Sequence, residues 1–301
     1  MGVFMKKIDL HIHTNKSDGL LSPKEIIDEA KKKHVQTIAI ADHDTVDAYT
    51  DEVYNYAKDN GIELITAVEI STKTKKCGIH VLGYNIDTSS KYLNESLKKI
   101  RNARHDYLHN VANKLNEMNY ILNINKLDMI EAVTKAHIAM DIISNKTNEK
   151  QLLKQFGHIP SKGEFIETIM NENCPAYVKK ETVTPKEAAE IIRKAGGKVV
   201  LAHPVAYVHE DNLTMNEILE IINDMKADGL EANYIYTDRN NNIVNEIEKW
   251  NKFAEENHLF VTIGSDFHME DGGNHAEIGL ENVGVVLEDE KVNEILEKLR
   301  G

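Results

Sequence analysis

The chain has 301 residues, 28% of them charged, with a formal net charge of -13 at pH 7. That length suffices for one large barrel or two ordinary domains, while the acidic balance works against a broad phosphate-backbone footprint, so long nucleic acid is not an expected partner. No apolar run of about 18 residues exists to span a bilayer, Met1–Lys7 is too short and too quickly charged for a signal peptide, Lys6 stands where a myristoylation signal needs Ser or Thr, and Cys77 and Cys174 are too few for a disulfide framework; a cytoplasmic, reduced protein without membrane contact is expected.

The first strand-like run is Lys7-Ile8-Asp9-Leu10-His11-Ile12-His13. Side chains alternate between faces in a strand, so His11 and His13 share one face and Ile8, Leu10 and Ile12 the other. Ser17-Asp18-Gly19 follows in a loop from which Asp18 can return to the same pocket. Ser22-Pro23-Lys24-Glu25 combines an N-cap, a proline and a glutamate at capping-box spacing and opens a helix. A second strand ends at Asp42, and His43 lies between Asp42 and Asp44, where a carboxylate can orient an imidazole and raise its basicity. Asp44 also suits the N-cap of the next helix. The run Ile65-Thr66-Ala67-Val68 ends at Glu69, whose carboxylate would be costly to bury unpaired; a metal relieves that cost. The polar turn from Thr72 to Gly78 is too short for a parallel crossover, so a hairpin leads into His80-Val81-Leu82-Gly83-Tyr84.

From about residue 92 to 180 the strand signal disappears, replaced by helical runs from Leu97 to Met118 and from Leu127 to Ile143. Residues 92–180 are read as an inserted helical cap subdomain on a barrel formed by 1–91 and 181–301, covering one side of its cleft. Thr184-Pro185-Lys186-Glu187 repeats the capping design, Val199-Val200-Leu201-Ala202 ends at His203, and Ser265-Asp266-Phe267-His268 restates the two-apart spacing of the first strand. Val283–Leu287 adds a short strand-like run.

Strands alternating with helices predict an α/β fold of βα units, and potential ligands at several strand ends favour closure into a distorted TIM-like barrel with its site at the C-terminal face. Imidazole is the commonest side-chain ligand of first-row metals, and carboxylates can bridge or complete the sphere. The chain therefore reads as a metalloenzyme. Arginine occurs only at positions 101, 104, 193, 239 and 300, so any bidentate phosphate clamp draws on that short set, with Arg104 and Arg239 nearest the motif-bearing segments.

The ordered set His11-x-His13-Thr14, Ser17-Asp18-Gly19, Asp42-His43-Asp44, Glu69, His80-Val81-Leu82-Gly83-Tyr84, Ala202-His203-Pro204 and Ser265-Asp266-Phe267-His268 resembles the PHP (polymerase and histidinol phosphatase) superfamily. It looks most like the stand-alone phosphoesterases that include 3',5'-nucleoside bisphosphate phosphatases and the related RNase AM. The resemblance covers nearly the whole chain. It implies a distorted (βα)7 barrel and a trinuclear site for manganese, zinc or iron. One metal would be held by His11, His13, Glu69 and Asp266, a second by Glu69, His80 and His203, and the third by Asp18, His43 and His268. The histidines outside this set, among the 14 in the chain, carry no motif and are expected at the surface.

Phosphomonoester hydrolysis of a nucleotide, a 3',5'-nucleoside bisphosphate or a short 5'-phosphorylated oligonucleotide, is the expected activity, with His203, His268 or Asp44 passing a proton to the leaving group. In the nucleotide-hydrolysing members the insertion carries a Gly-Arg-Pro-His-like element, where this chain has Lys135-Ala136-His137-Ile138. Lysine supplies charge without the bidentate fork, so Lys135, His137, Arg104 and Arg239 are the candidate phosphate contacts. A metal-dependent amidohydrolase, a histidinol-phosphate-type phosphatase and a noncatalytic metal-binding module are the alternatives. The dense ligand set of the second half and Asp42-His43-Asp44 favour a phosphoesterase, and no ligand is missing, as a noncatalytic module would require.

Overall fold

Apolar runs of the expected lengths become the strands of one curled sheet. The structure, a computed structural model, describes residues 6–128, 133–179, 181–238, 241–270 and 275–300. Its strands are β1 (Ile8–Ile12), β2 (Thr37–Ile40), β3 (Glu63–Lys73), β4 (Gly78–Tyr84), β5 (Lys198–Leu201), β6 (Gly229–Asn233), the short pair β7 (Tyr236–Thr237) and β8 (Ile243–Val244), and β9 (Phe260–Ile263). Seven form one sheet in the order β1-β2-β3-β4-β5-β6-β9. All its pairings are parallel except those of β4, which runs antiparallel to both β3 and β5. The turn between β3 and β4 is closed by Thr74 N donating to Cys77 O at 2.9 Å; the hairpin is there because these few residues cannot carry a crossover. Beyond β9, Phe267 makes an isolated parallel bridge to Ile12, so the two edges of the sheet approach one another.

The chain divides into two compact units, one comprising Met1–Lys98 and Val183–Gly301, the other Lys99–Thr182. In the first, α1 (Pro23–Lys32) and α2 (Asp51–Asp59) lie between strands, and α8 (Pro185–Lys194), α9 (Pro204–Glu210), α10 (Met215–Met225), α11 (Ile247–Glu256) and α12 (Asp289–Arg300) follow the insertion. Ser22 and Thr184 form the expected capping boxes, and Thr214 forms another on α10. Ile12 and Ile38 pack with Ile26, Ile27, Ala30 and Val53 of α1 and α2. Each fully buried isoleucine contributes about 1.5–3 kcal/mol. This packing fixes which face of β1 looks outward, and so sends Asp9, His11 and His13 inward.

The second unit contains most of α3 (Lys91–Glu117), then α4 (Ile124–Asp128), α5 (Lys135–Ser144), α6 (Glu149–Phe156) and α7 (Lys162–Phe165). Leu108, Leu115, Tyr120, Leu127, Ile138 and Phe165 share its core. The run read as helical from Leu127 to Ile143 is interrupted: α4 ends at Asp128 and α5 starts after the N-cap Thr134. Val283–Leu287 is not a strand either. A 3-10 turn occupies Glu281–Val283 between Leu280 (φ 58°) and Gly284 (φ 75°), both left-handed, which breaks an extended path. Among the described residues no helix is long and apolar enough to cross a membrane.

Candidate metal centre

The C-terminal ends of the parallel strands and the start of antiparallel β4 lie at one edge of the sheet, and each brings a polar residue there. Thr14 donates to Asp42 through its N–H at 2.7 Å and its hydroxyl at 2.6 Å, and the Ser17 hydroxyl donates to Asp42 at 2.6 Å. Asp42 thereby folds the loop after β1, and Asp18 Oδ2 comes to 3.0 Å from His268 Nε2. Gly19 permits that fold: a Cβ there would sit 2.5 Å from the His13 carbonyl oxygen. Asp44 accepts from Ser71 N at 2.9 Å, tying the loop after β2 to β3. It does not cap the next helix; Thr50 does.

Glu69, wholly buried in the middle of β3, is the hub. Its Oε2 lies 3.2 Å from His11 Nε2, 3.3 Å from His13 Nε2 and 3.1 Å from His43 Nδ1. Its Oε1 lies 3.2 Å from His80 Nδ1 and 3.1 Å from His203 Nε2. Asp266 Oδ1 completes the set at 3.1 Å from His13 Nε2 and 3.4 Å from His11 Nε2. Three groups of potential donors result, each with its ligand atoms within 4.8 Å of one another: His13, Asp18, His43 and His268; His11, His13, Glu69 and Asp266; His43, Glu69 and His80. His203 joins through its contact with Glu69. Asp44, His203 and Asp266 have positive φ of 51°, 24° and 55°. Such backbone costs about 1–3 kcal/mol per residue and concentrates at functional sites.

The donors fit divalent cations. His11 Nε2 and His13 Nε2 face each other at 3.1 Å, although two neutral imidazole nitrogens can share at most one proton. His80 Nδ1 and His203 Nδ1 are buried and make no hydrogen bond. Buried polar atoms without partners are costly, and a nitrogen-oxygen donor set of this kind suits zinc, manganese or iron.

The protonation balance follows the same geometry. Burial favours neutral His13, but its hydrogen bonds to Asp266 and Glu69 and the Glu69 charge outweigh this and push its pKa up to about 10. His11 is raised in the same way, burial being outweighed by Glu231, Glu69 and Asp266. His43, with burial dominant, is held well below the ordinary range. In the metal-free protein the proton on His13 contributes stability that is complete below the ordinary value of 6.5 and is lost as pH rises through about 10. A cation competes with that proton, so its affinity rises over the same window. Titrating manganese into metal-free protein at pH 7.5 in two buffers of different ionisation enthalpy is expected to show net proton release; binding with no buffer dependence would contradict it.

Two buried carboxylates escape the sequence reading. Glu231 on β6 lies 3.0 Å from His11 Nδ1 and accepts from His203 N at 2.9 Å. Asp9 accepts from the N–H groups of Gly279 at 2.9 Å, Ser265 at 3.0 Å and His11 at 3.3 Å, and burial pushes its carboxyl up to about 6. Both interrupt apolar strand runs as Glu69 does, a signal available in Gly229-Leu230-Glu231-Ala232 and Ile8-Asp9-Leu10. Of the proposed phosphate contacts, Lys135 lies on α5 and donates to Asn171 at 2.9 Å, His137 completes the capping box of Thr134, and Arg104 lies on α3; all belong to the second unit. Arg239 lies outside the described residues.

The chain matches the PHP domain family over residues 9–197. A 5'-3' exoribonuclease from Haemophilus influenzae is 33% identical over 272 residues, 88% of this chain and 90% of that protein. The chain belongs to the PHP domain family. It is a hydrolase of the metal-dependent phosphoesterase class. A 3',5'-nucleoside bisphosphate phosphatase from Chromobacterium violaceum is 25% identical, with 88% of each chain covered. A solved structure from Bifidobacterium adolescentis described as a metal-dependent phosphoesterase superposes with a TM-score of 0.65 at 23% identity, covering 97% of this chain and 96% of its own, and so shares this chain's fold. The PHP match ends before His203, Asp266 and His268; geometry is what joins them to the cluster, His203 through Glu69, Asp266 through His11 and His13, and His268 through Asp18.

Proposed function

We propose that this PHP protein hydrolyses a phosphomonoester of a nucleotide, either a 3',5'-nucleoside bisphosphate or the end of a short 5'-phosphorylated oligonucleotide, at a trinuclear centre within a distorted (βα)7 barrel. The observation that carries this reading is the convergence of five imidazoles on the two oxygens of one buried carboxylate, Glu69. His11, His13, Glu69 and Asp266 would hold one ion, Glu69, His80 and His203 a second, and Asp18, His43 and His268 a third. Bound divalent ions supply Lewis-acid charge for phosphate oxygens and make a water nucleophilic near neutral pH.

The protein's own groups then divide the remaining work. A proton for the leaving oxygen has to come from a group the substrate can reach. Asp44 is fully buried and holds the Ser71 N–H. The His203 side chain is 9% exposed, whereas that of His268 is 29% exposed, and its Nδ1–H donates to the Asp266 carbonyl at 2.8 Å, which fixes the ring. Exposure favours His268 over His203 and Asp44, but with Nδ1–H held by Asp266 its Nε2 can serve either the third ion or the leaving oxygen, not both at once. Beside His268, Tyr234, Tyr236, Phe267 and Met269 line a cavity of about 390 Å³ that also reaches Asp266. Aromatic and apolar walls next to a charged cluster suit a nucleoside attached to a phosphate. Lys135, His137 and Arg104 of the helical insertion are the proposed phosphate contacts.

The exoribonuclease and bisphosphate phosphatase relatives together favour nucleotide substrates over histidinol phosphate. Manganese-loaded protein should be assayed on 3',5'-nucleoside bisphosphates, nucleoside monophosphates, 5'-phosphorylated dinucleotides and histidinol phosphate, with Asp266→Asn as control. Selective turnover of a bisphosphate or dinucleotide, lost in the control, is expected. Silence on every substrate despite bound metal, or preference for histidinol phosphate, would overturn the reading.

A further inference from the structure

We propose that the helical unit binds one further transition-metal ion of the zinc type, through His105 and His109 on α3 and Asp128 at the end of α4. None of these residues belongs to the centre around Glu69, and the inference does not depend on the activity assigned to that centre.

Residues four apart lie on one face of a helix. His105 and His109 do so with their rings stacked, centroids 4.0 Å apart and planes 26° from parallel. Both Nε2 atoms turn to the same carboxylate oxygen: Asp128 Oδ2 is 3.3 Å from His109 and 3.9 Å from His105. All three donor atoms lie within 4.8 Å of one another. Ligand atoms around tetrahedral zinc, at bond lengths of about 2.0–2.1 Å, are spaced by roughly 3.3–3.5 Å. The pair of Asp128 with His109 already has that spacing, the pair of Asp128 with His105 needs about half an ångström from an exposed side chain, and the two imidazole nitrogens lie within 4.8 Å of each other.

An ordinary ion pair explains less. A single imidazolium on Asp128 accounts for His109, but His105 at 3.9 Å is beyond hydrogen-bond range. Protonating both stacked rings would set like charges face to face. A cation accepts both nitrogens and the oxygen together. Asp106 Oδ1, 3.9 Å from His105 Nδ1, adds negative charge beside the ring without a hydrogen bond to it.

The scaffold under these donors is fixed. Tyr107 and Leu108, between the two histidines, and Leu127, beside Asp128, are buried in the same core. Two nitrogens and one oxygen, with a position left for water, suit zinc, cobalt, nickel or copper better than magnesium or calcium. The bound ion would cross-link α3 to α4.

The test is metal counting on the whole protein. Metal-free wild-type protein and the combined His105→Ala, His109→Ala variant are dialysed against the same buffered micromolar zinc, and bound metal is measured by mass spectrometry, with helicity checked by circular dichroism. The variant is expected to hold one equivalent fewer. Asp128→Asn, a smaller change, is expected to weaken that last equivalent at least tenfold and serves if the double variant loses helicity. Equal zinc content in all three proteins would overturn the proposal. Because the readout is stoichiometry, failure of the assigned phosphoesterase activity leaves it unaffected.

Discussion

Glu69→Gln is expected to lower phosphate release by at least about 1,000-fold, some 4 kcal/mol at the transition state. The change keeps the shape of the side chain, so the β3 backbone and its pairings with β2 and β4 stay in place. It removes a negative charge that faces His11, His13 and His43 through Oε2 and His80 and His203 through Oε1. An amide also points an NH2 group, a donor only, at nitrogens that must be deprotonated to bind metal. Two of the proposed ions depend on Glu69, so bound metal should fall with activity, and the melting temperature of the metal-free form should fall as well, because the charge that helps hold the protons on His11 and His13 is gone. Measuring metal content and phosphate release on the same preparation separates the outcomes. A variant with full metal content and activity within tenfold of the parent would remove Glu69 from the centre.

The parts of this site that were legible in the sequence are those where a polar residue interrupts a strand pattern strongly enough to need a reason. His11 and His13 on alternate positions of β1 and Glu69 after an apolar run could be read directly, because strand alternation assigns a face without any tertiary knowledge. The hairpin was legible from the length of its turn. The partition of ligands was less so, since it depends on which oxygen of Glu69 each imidazole meets: His43 lies on the same oxygen as His11 and His13, whereas His80 and His203 share the other. The inward turn of His203 and Asp266 rests on left-handed backbone at non-glycine residues, which local propensity argues against. Val283–Leu287 misled for the reverse reason: its apolar run is real, but Leu280 and Gly284 bend the chain away from any strand it might join. The division of α4 from α5 turned on the N-cap Thr134, a single residue inside an otherwise helical pattern.

Glu231→Gln is expected to raise the manganese concentration needed for half-maximal activity by about 10–100-fold, the usual cost of losing a carboxylate behind a ligating histidine. Glu231 is buried, with its carboxylate 3.0 and 3.2 Å from His11 Nδ1 and accepting from His203 N. It therefore fixes the His11 ring with Nε2 toward Glu69 and Asp266, and anchors the strained backbone at His203 through Oε2. Gly264 makes room for this contact: a Cβ there would lie 2.2 Å from His11 Cβ and 2.3 Å from Glu231 Oε1. Glutamine keeps an acceptor for His203 N and nearly the same volume, so what it removes is the charge that helps draw a proton, or a cation, onto the His11 ring. A purely structural role would show as a lower melting temperature with an unchanged manganese midpoint, and that result would sink the assignment. A shifted midpoint, recovered activity at saturating manganese and a melting temperature close to the parent's would make Glu231 the residue that positions His11, acting through the imidazole without touching substrate.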